Sequence, residues 1–230
     1  MEAYSLFLGL HLGAGSIALL SFWTAAAFRK GSRPHVLAGR VYLLAMLGVI
    51  LSGGPLVAMQ AARGQAAAAA FLGFLLVLVS WSCWGAWRAI RDRRHPERYA
   101  GPVYQTLSWL TLAGGVAMAG LALTHGSVLF GVFAAVGVLA GLDGLRVRRR
   151  IAADPLWWLK EHYGAMLGNA VATHIAFLSI GLRRLLPGLE GPLLTYLSWF
   201  GPLAVALAAG WWIERRLLRG QPLRGRRLAA

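Results

Sequence analysis

Six histidines are the residues of this chain best equipped for chemistry: His11, His35, His95, His125, His162 and His174. A neutral imidazole offers one nitrogen as a metal ligand or proton acceptor near neutral pH, while the other carries a proton that a neighbour can orient. Other reactive types are scarce. Of the eight carboxylates, Asp143 and Glu161 stand close to the ends of apolar runs, where each can pair with an arginine or orient a histidine. The single cysteine, Cys83, cannot form an internal disulfide. No H-E-x-x-H, G-x-S-x-G or phosphate-cradling glycine loop occurs, which argues against a proteolytic or nucleotide-driven machine.

The histidines acquire meaning from the elements that carry them. The chain has 230 residues, 58% hydrophobic and only 13% charged, too few charges to cover a water-facing globule. A helix crossing the roughly 30 Å hydrocarbon layer needs about 20 mostly apolar residues. Seven such stretches run near Ala3 to Phe28, Leu37 to Gln60, Ala66 to Ile90, Val103 to Thr124, Val128 to Leu145, Trp157 to Leu182 and Leu193 to Ile213. The expected fold is therefore all-α: a polytopic transmembrane bundle of about seven helices over residues 1–214, followed by a basic tail over 215–230. The first stretch has no preceding basic residue and no A-x-A site, so it is expected to remain as a helix rather than be removed as a signal peptide.

The net charge of +15 is distributed by side. Twenty of the 23 basic residues fall after the first, third, fifth and seventh stretches, in clusters such as Arg29, Lys30, Arg33 and Arg40, or Arg88, Arg91, Arg93, Arg94 and Arg98. The opposite loops hold only Arg63, Arg183 and Arg184. By the positive-inside rule this predicts an amino terminus outside and a carboxyl terminus in the cytoplasm, in a bacterial inner membrane. The basic surface then faces anionic lipid headgroups, and no nucleic-acid partner is expected, since no basic-aromatic binding motif is present. Trp87, Trp157, Trp158, Trp211 and Trp212 fall near the expected interfaces, whereas Trp81, Trp84 and Trp109 lie deeper. Glycines four apart, at Gly9 and Gly13, Gly137 and Gly141, and Gly164 and Gly168, predict close helix packing within the chain or between copies of it.

Within this frame the histidines form two layers. His11, between Gly9 and Gly13 in the first stretch, and His174, in the sixth, lie in the outer half. They are expected ligands of a haem b iron or of another metal, with glycines making room and Thr173 and Asn169 orienting a ring. The same depths also fit neutral histidines hydrogen-bonded to neighbouring helices. His162 precedes His174 by twelve residues, about 18 Å along a helix, so the two cannot share one ion. His162 can instead meet His35 or His95 at the inner surface, a second layer of the kind used by cytochromes that carry electrons through stacked haems. His35, His95 and His162 also stand at the starts of even-numbered stretches, each before a small-residue turn. His95 and His125 are read as solvated loop residues.

The first fifty residues carry a more specific pattern: His11, then Lys30-Gly31, then His35, Gly39, Arg40 and Tyr42, followed by Met46. This H-x-x-x-G-R-x-Y entry to the second helix resembles a family of uncharacterised bacterial polytopic membrane proteins, which also show a third-helix tryptophan and a basic loop reading H-R-x-W-M. Here Trp81 and His95 match, while Pro96, Tyr99 and Ala100 depart from the loop pattern, and Val36 stands where an arginine is common. The resemblance implies a multi-pass membrane protein and supplies no activity.

Three functions fit these residues. The leading one is a membrane redox protein binding haem b or a metal through His11 and His174, with His35 and His162 as an inner pair, and serving a redox partner. The second is a small-solute or proton-coupled transporter whose buried histidines change protonation, against which stand the scarcity of intramembrane carboxylates and the lack of an inverted repeat. The third is a non-catalytic scaffold subunit whose glycine-rich faces and basic tail meet partner helices and lipid.

Overall fold

The computed structural model describes residues 2–182 and 191–215. Arg183, Arg184 and the basic tail beyond Arg215 lie outside the described residues. Among those described there is no β-strand, and the helices follow the apolar runs closely. They are α1 (Glu2–Ala27), α2 (Arg33–Ala62), α3 (Ala66–Arg91), the single turn α4 (Pro96–Tyr99), α5 (Pro102–His125), α6 (Val128–Leu145), the short α7 (Val147–Ala153), α8 (Trp157–Ala176), continued by a π-helical stretch Phe177–Leu182, and α9 (Pro192–Ile213). The fold is an all-α multi-pass bundle.

Local chemistry sets the breaks between these helices. Gly31 adopts φ +81°, a left-handed conformation that side chains resist, and so turns the chain sharply after α1. Ser32 then caps α2, its hydroxyl accepting from the His35 backbone N–H at 3.4 Å, and Pro34 occupies the first turn, where no intrahelical N–H bond is lost. Ser127 caps α6 in the same way, accepting from the Phe130 N–H at 3.3 Å.

Six of the described helices, α1, α2, α3, α5, α6 and α9, are long and apolar enough to cross a membrane. Their packing supports that use. Only 11% of the apolar window of α1 is buried within the protein, and Leu20, Leu123 and Leu139 are 71%, 86% and 68% exposed. So much bare apolar surface is stable against lipid tails and costly against water. The sixth expected span, Trp157 to Leu182, is less apolar than the others. Lys160, Glu161, His162, Asn169 and His174 interrupt it, and it forms α8 with a π-helical end instead of a sixth apolar helix in unbroken α geometry.

The chain divides at Asn169 into two compact units, Met1–Asn169 and Ala170–Ala230. In the first, α1 packs on α2, α2 on α3, α3 on α5 and α5 on α6. The α5–α6 contact is backbone to backbone: a Cβ added at Gly115 would lie 2.6 Å from Val138 N, and one at Gly141 2.6 Å from Leu112 N. The Gly137 and Gly141 pair thus packs closely, as its spacing predicts. Gly9, Gly13 and Gly164 instead face open space, with nothing within 4 Å of an added Cβ.

Because successive spans alternate in direction, the arginine-rich turns 29–33, 88–98 and 146–156 gather at one end of this unit, here called the basic end. A cluster of Ala89, Tyr99, Ala100, Tyr104, Val147, Ile151 and Trp157 fills it. Ion pairs enclose that cluster. Arg150 bridges Asp143 and Glu161, the latter at 2.5 Å, and the Tyr99 hydroxyl donates to Glu161 Oε2 at 2.8 Å. Arg148 donates to the Ala100 carbonyl at 3.2 Å. Asp143 and Glu161 are therefore partners of an arginine. In the second unit, the π-helical stretch packs on α9, where Tyr196 and Phe200 stack at 5.7 Å and the Arg215 guanidinium lies 4.1 Å over Trp211.

Candidate functional site

Three of the four histidines singled out as ligands, His11, His35 and His162, belong to the first unit, and each is held through Nδ1. His35, in the first turn of α2, reaches back to the Ala25 carbonyl near the end of α1 at 2.9 Å. His162, in the second turn of α8, reaches the Ala86 carbonyl of α3 at 2.9 Å. A carbonyl only accepts, so Nδ1 carries the proton in both rings and Nε2 keeps a lone pair. No hydrogen bond to either Nε2 is made among the described residues. His35 and His162 thus each keep an Nε2 free of hydrogen bonds among the described residues.

Gly39 stands four residues after His35 on the same helical face, and nothing lies within 4 Å of a Cβ added there. Gly164 is equally open but, two residues after His162, lies on a different face of α8. Below the pair, Asn169 Oδ1 accepts from the Ser82 hydroxyl at 2.6 Å and the Cys83 thiol at 3.3 Å, fixing α8 against α3. Asn169 thus ties α8 to α3.

His11 lies deeper along α1, about 24 Å from the end of that helix near Ala27 at 1.5 Å per residue. Its Nδ1 is 3.1 Å from Ser52 Oγ of α2. The Ser52 proton is already given to the Gly48 carbonyl at 2.7 Å, so the hydroxyl accepts and His11 again bears its proton on Nδ1. The ring packs beside Gly53, whose added Cβ would lie 3.6 Å from His11 Cε1. His174 belongs to the second unit, where its Nδ1 donates to the Ala170 carbonyl at 2.7 Å, one turn back in α8. The expected outer pair therefore joins residues of two separately described units.

The remaining histidines stand apart. His95 is exposed and 3.4 Å from Glu97 Oε1, and His125 meets the ring of Phe130 edge-on at 6.3 Å. Among the described residues no group of three or more His, Cys, Asp or Glu side chains converges. A metal ion held wholly by protein ligands, such as a three- or four-ligand zinc site, is therefore not assembled there. A haem asks for less, since the porphyrin supplies four nitrogens and the protein one or two axial ligands.

Electrostatics at the basic end favour a fixed frame around His162. Burial, then the neighbouring Tyr104 and Glu161 groups, push the Tyr99 hydroxyl well above its ordinary range, so it stays a donor. Burial acts to lower the Arg150 pKa, but Glu161 and Asp143 outweigh it and hold the guanidinium charged. Sequence reasoning missed Ser52 and Arg150. A lone hydroxyl in the apolar run before Gly53-Gly54-Pro55 was the available signal for the first; one arginine among several gave no signal for the second.

The fold and its apolar surface define the class of this molecule: an integral membrane protein of the all-helical, multi-pass kind. Compared with known protein families, characterised proteins and solved structures, the chain shows no significant match to any of them.

Proposed function

We propose that this membrane protein is a haem b-binding redox carrier, in which His35 and His162, at the basic end of the bundle, would hold the haem iron. The observation that supports this reading is a shared tether: two imidazoles from different helices, each tied through Nδ1–H to a backbone carbonyl and each keeping its Nε2 lone pair. Such a tether would suit histidines that hold a metal, because the Nδ1 bond fixes the tautomer, orients the ring and strengthens the donor nitrogen. Gly39, one turn along α2 from His35, has nothing within 4 Å of an added Cβ, so no side chain fills the space there. The haem, when bound, supplies one-electron exchange; the protein supplies ligands, orientation and an apolar surround. With the basic loops on the cytoplasmic side, the pair would lie near the inner surface and face a redox partner there.

The test is optical. Protein purified in mild detergent from a haem-sufficient host is expected to show a b-type spectrum on dithionite reduction, with iron by elemental analysis. His35→Ala and His162→Ala should each abolish the inner-site band, and His95→Ala and His125→Ala should leave it unchanged. The same spectra of His11→Ala and His174→Ala decide whether a second haem is held in the outer half. A colourless, iron-free wild-type protein refutes the proposal.

A further inference from the structure

At the end of α3, the turn into α4 forms an open depression of about 430 Å³ lined by Ile90, Arg91, Arg93, Arg94 and His95. We infer that this depression is a binding site for the phosphate headgroup of an anionic phospholipid, with Arg91, Arg93 and Arg94 as its cationic contacts. The inference is independent of haem binding.

Charge pairing in the turn leaves these three guanidiniums available. Between Arg88 and Arg98 the chain has two carboxylates, and both are engaged elsewhere: Asp92 is buried in an ion pair with Arg88, and Glu97 lies against His95. Arg93 and Arg94 have no ion pair among the described residues, and both are exposed. Guanidinium groups suit a phosphate, because their planar N–H forks match its oxygens in pairs. Three such groups around one depression make a site for a phosphate rather than for a lone carboxylate.

Position selects a lipid over a soluble phosphate. The depression begins at the last turn of a spanning helix, where Trp87 and Ile90 are each 41% exposed. The Arg91 guanidinium lies 5.0 Å over the Trp87 ring, holding its charge at the depth where tryptophan settles among headgroups. With Ile90 in its lining and Trp87 one turn back on α3, the depression offers apolar surface below three arginines, complementary to a lipid, whose acyl chain continues from its phosphate into the hydrocarbon. Each arginine near an anionic surface contributes roughly a fivefold gain in affinity, so removal of three should weaken binding about a hundredfold.

The experiment uses the full chain in neutral detergent and native mass spectrometry. The probes are dioleoylphosphatidylglycerol, dioleoylphosphatidylcholine with the same acyl chains, and soluble glycerol phosphate. Wild-type protein should bind phosphatidylglycerol in preference to phosphatidylcholine, and excess glycerol phosphate should not displace it. The triple variant R91Q/R93Q/R94Q should lose about a hundredfold in affinity. A variant with the same charge loss dispersed over the basic end, R29Q/R33Q/R149Q, should lose less than about tenfold. Should the triple variant not yield folded protein, R93Q/R94Q at exposed positions gives the same comparison at a loss of about thirtyfold against R29Q/R149Q. Equal losses in the clustered and dispersed variants overturn the site in favour of diffuse attraction. Equal binding of phosphatidylcholine overturns the charge assignment, and displacement by glycerol phosphate overturns the lipid in favour of a soluble phosphate.

Discussion

Replacing Arg150 by methionine keeps the length of the side chain and removes the charge that joins Asp143 to Glu161. The Glu161 side chain is only 10% exposed, so the substitution strands a carboxylate with little water and one remaining hydrogen-bond partner among the described residues, the Tyr99 hydroxyl. Breaking a fully buried pair in this way costs about 3–5 kcal/mol. Arg150 is 36% exposed, and solvent already screens part of its attraction, which brings the expected loss to about 2 kcal/mol. For a chain of this size that corresponds to a fall in Tm of about 4–8 °C. The assay is loss of helical circular dichroism on heating in one detergent at pH 7, for wild type, R150M, E161Q and R150M/E161Q. The double variant leaves no stranded charge and should recover about 1–2 kcal/mol relative to additivity. The Arg150 pKa is raised, so its contribution persists below its unfolded value and is lost only as pH rises through the higher folded value; the cycle should therefore not fade between pH 6 and 9. A Tm for R150M within 1 °C of wild type, or strict additivity, would refute the reasoning that this clamp secures the start of α8.

Other consequences follow from the same geometry. Gly141→Ala should lower stability by about 1–3 kcal/mol through overpacking, since its Cβ would meet the Leu112 backbone, whereas Gly164→Ala should be neutral or mildly stabilising; thermal melts of both decide. Ser52→Ala removes the acceptor of the His11 Nδ1–H and should cost about 1 kcal/mol, read as a small Tm decrease with α1 still helical. For Asp154, burial acts to raise the pKa, but Lys160 at 2.6 Å and the Leu156 N–H at 2.8 Å outweigh it and hold the value below the usual 3.8. The stability it contributes is present above that unfolded value and is lost as pH falls through the lower folded one. Wild type should therefore melt above Asp154→Asn at pH 7, and the two should converge in acid below the folded value.

Much of the fold was legible because lipid imposes a simple rule on sequence: apolar runs of spanning length, separated by charged turns. That rule located α1, α2, α3, α5, α6 and α9 to within a few residues of their ends. It was less informative for α8, where Lys160, Glu161, His162, Asn169 and His174 interrupt the run because α8 carries polar groups that meet α3 and α7. Glycine spacing was ambiguous for a related reason. The same four-residue interval lies at a backbone contact in Gly137 and Gly141 and beside open space in Gly9 and Gly13, and only the neighbouring helix distinguishes them. The placing of His35 and His162 at one end of the bundle could be anticipated from depth. Their hydrogen bonds could not, because both acceptors are backbone carbonyls of alanines, Ala25 and Ala86, and an alanine in an apolar run carries no sign that its carbonyl will be shared.

Those two carbonyls bear on how the histidines should be tested. Each imidazole ties one helix to another through Nδ1 and offers a nitrogen through Nε2, so replacement by alanine removes both at once and a lost spectrum alone cannot separate a missing ligand from a loosened α8. Glutamine separates them. Its side-chain amide keeps an N–H donor able to reach the Ala86 carbonyl, but lacks a basic ring nitrogen to coordinate iron. His162→Gln is therefore expected to melt within about 1–2 °C of wild type, since a preserved hydrogen bond changes stability by less than about 0.5–1.5 kcal/mol, while losing the inner-site haem band entirely. If His162→Gln instead keeps the full spectrum, His162 is a helix tie and not a ligand. If it loses spectrum and stability together to the extent that His162→Ala does, the amide has failed to replace the tie, and the ligand role must then be read from the His35 variants, whose bond to Ala25 joins only α1 and α2.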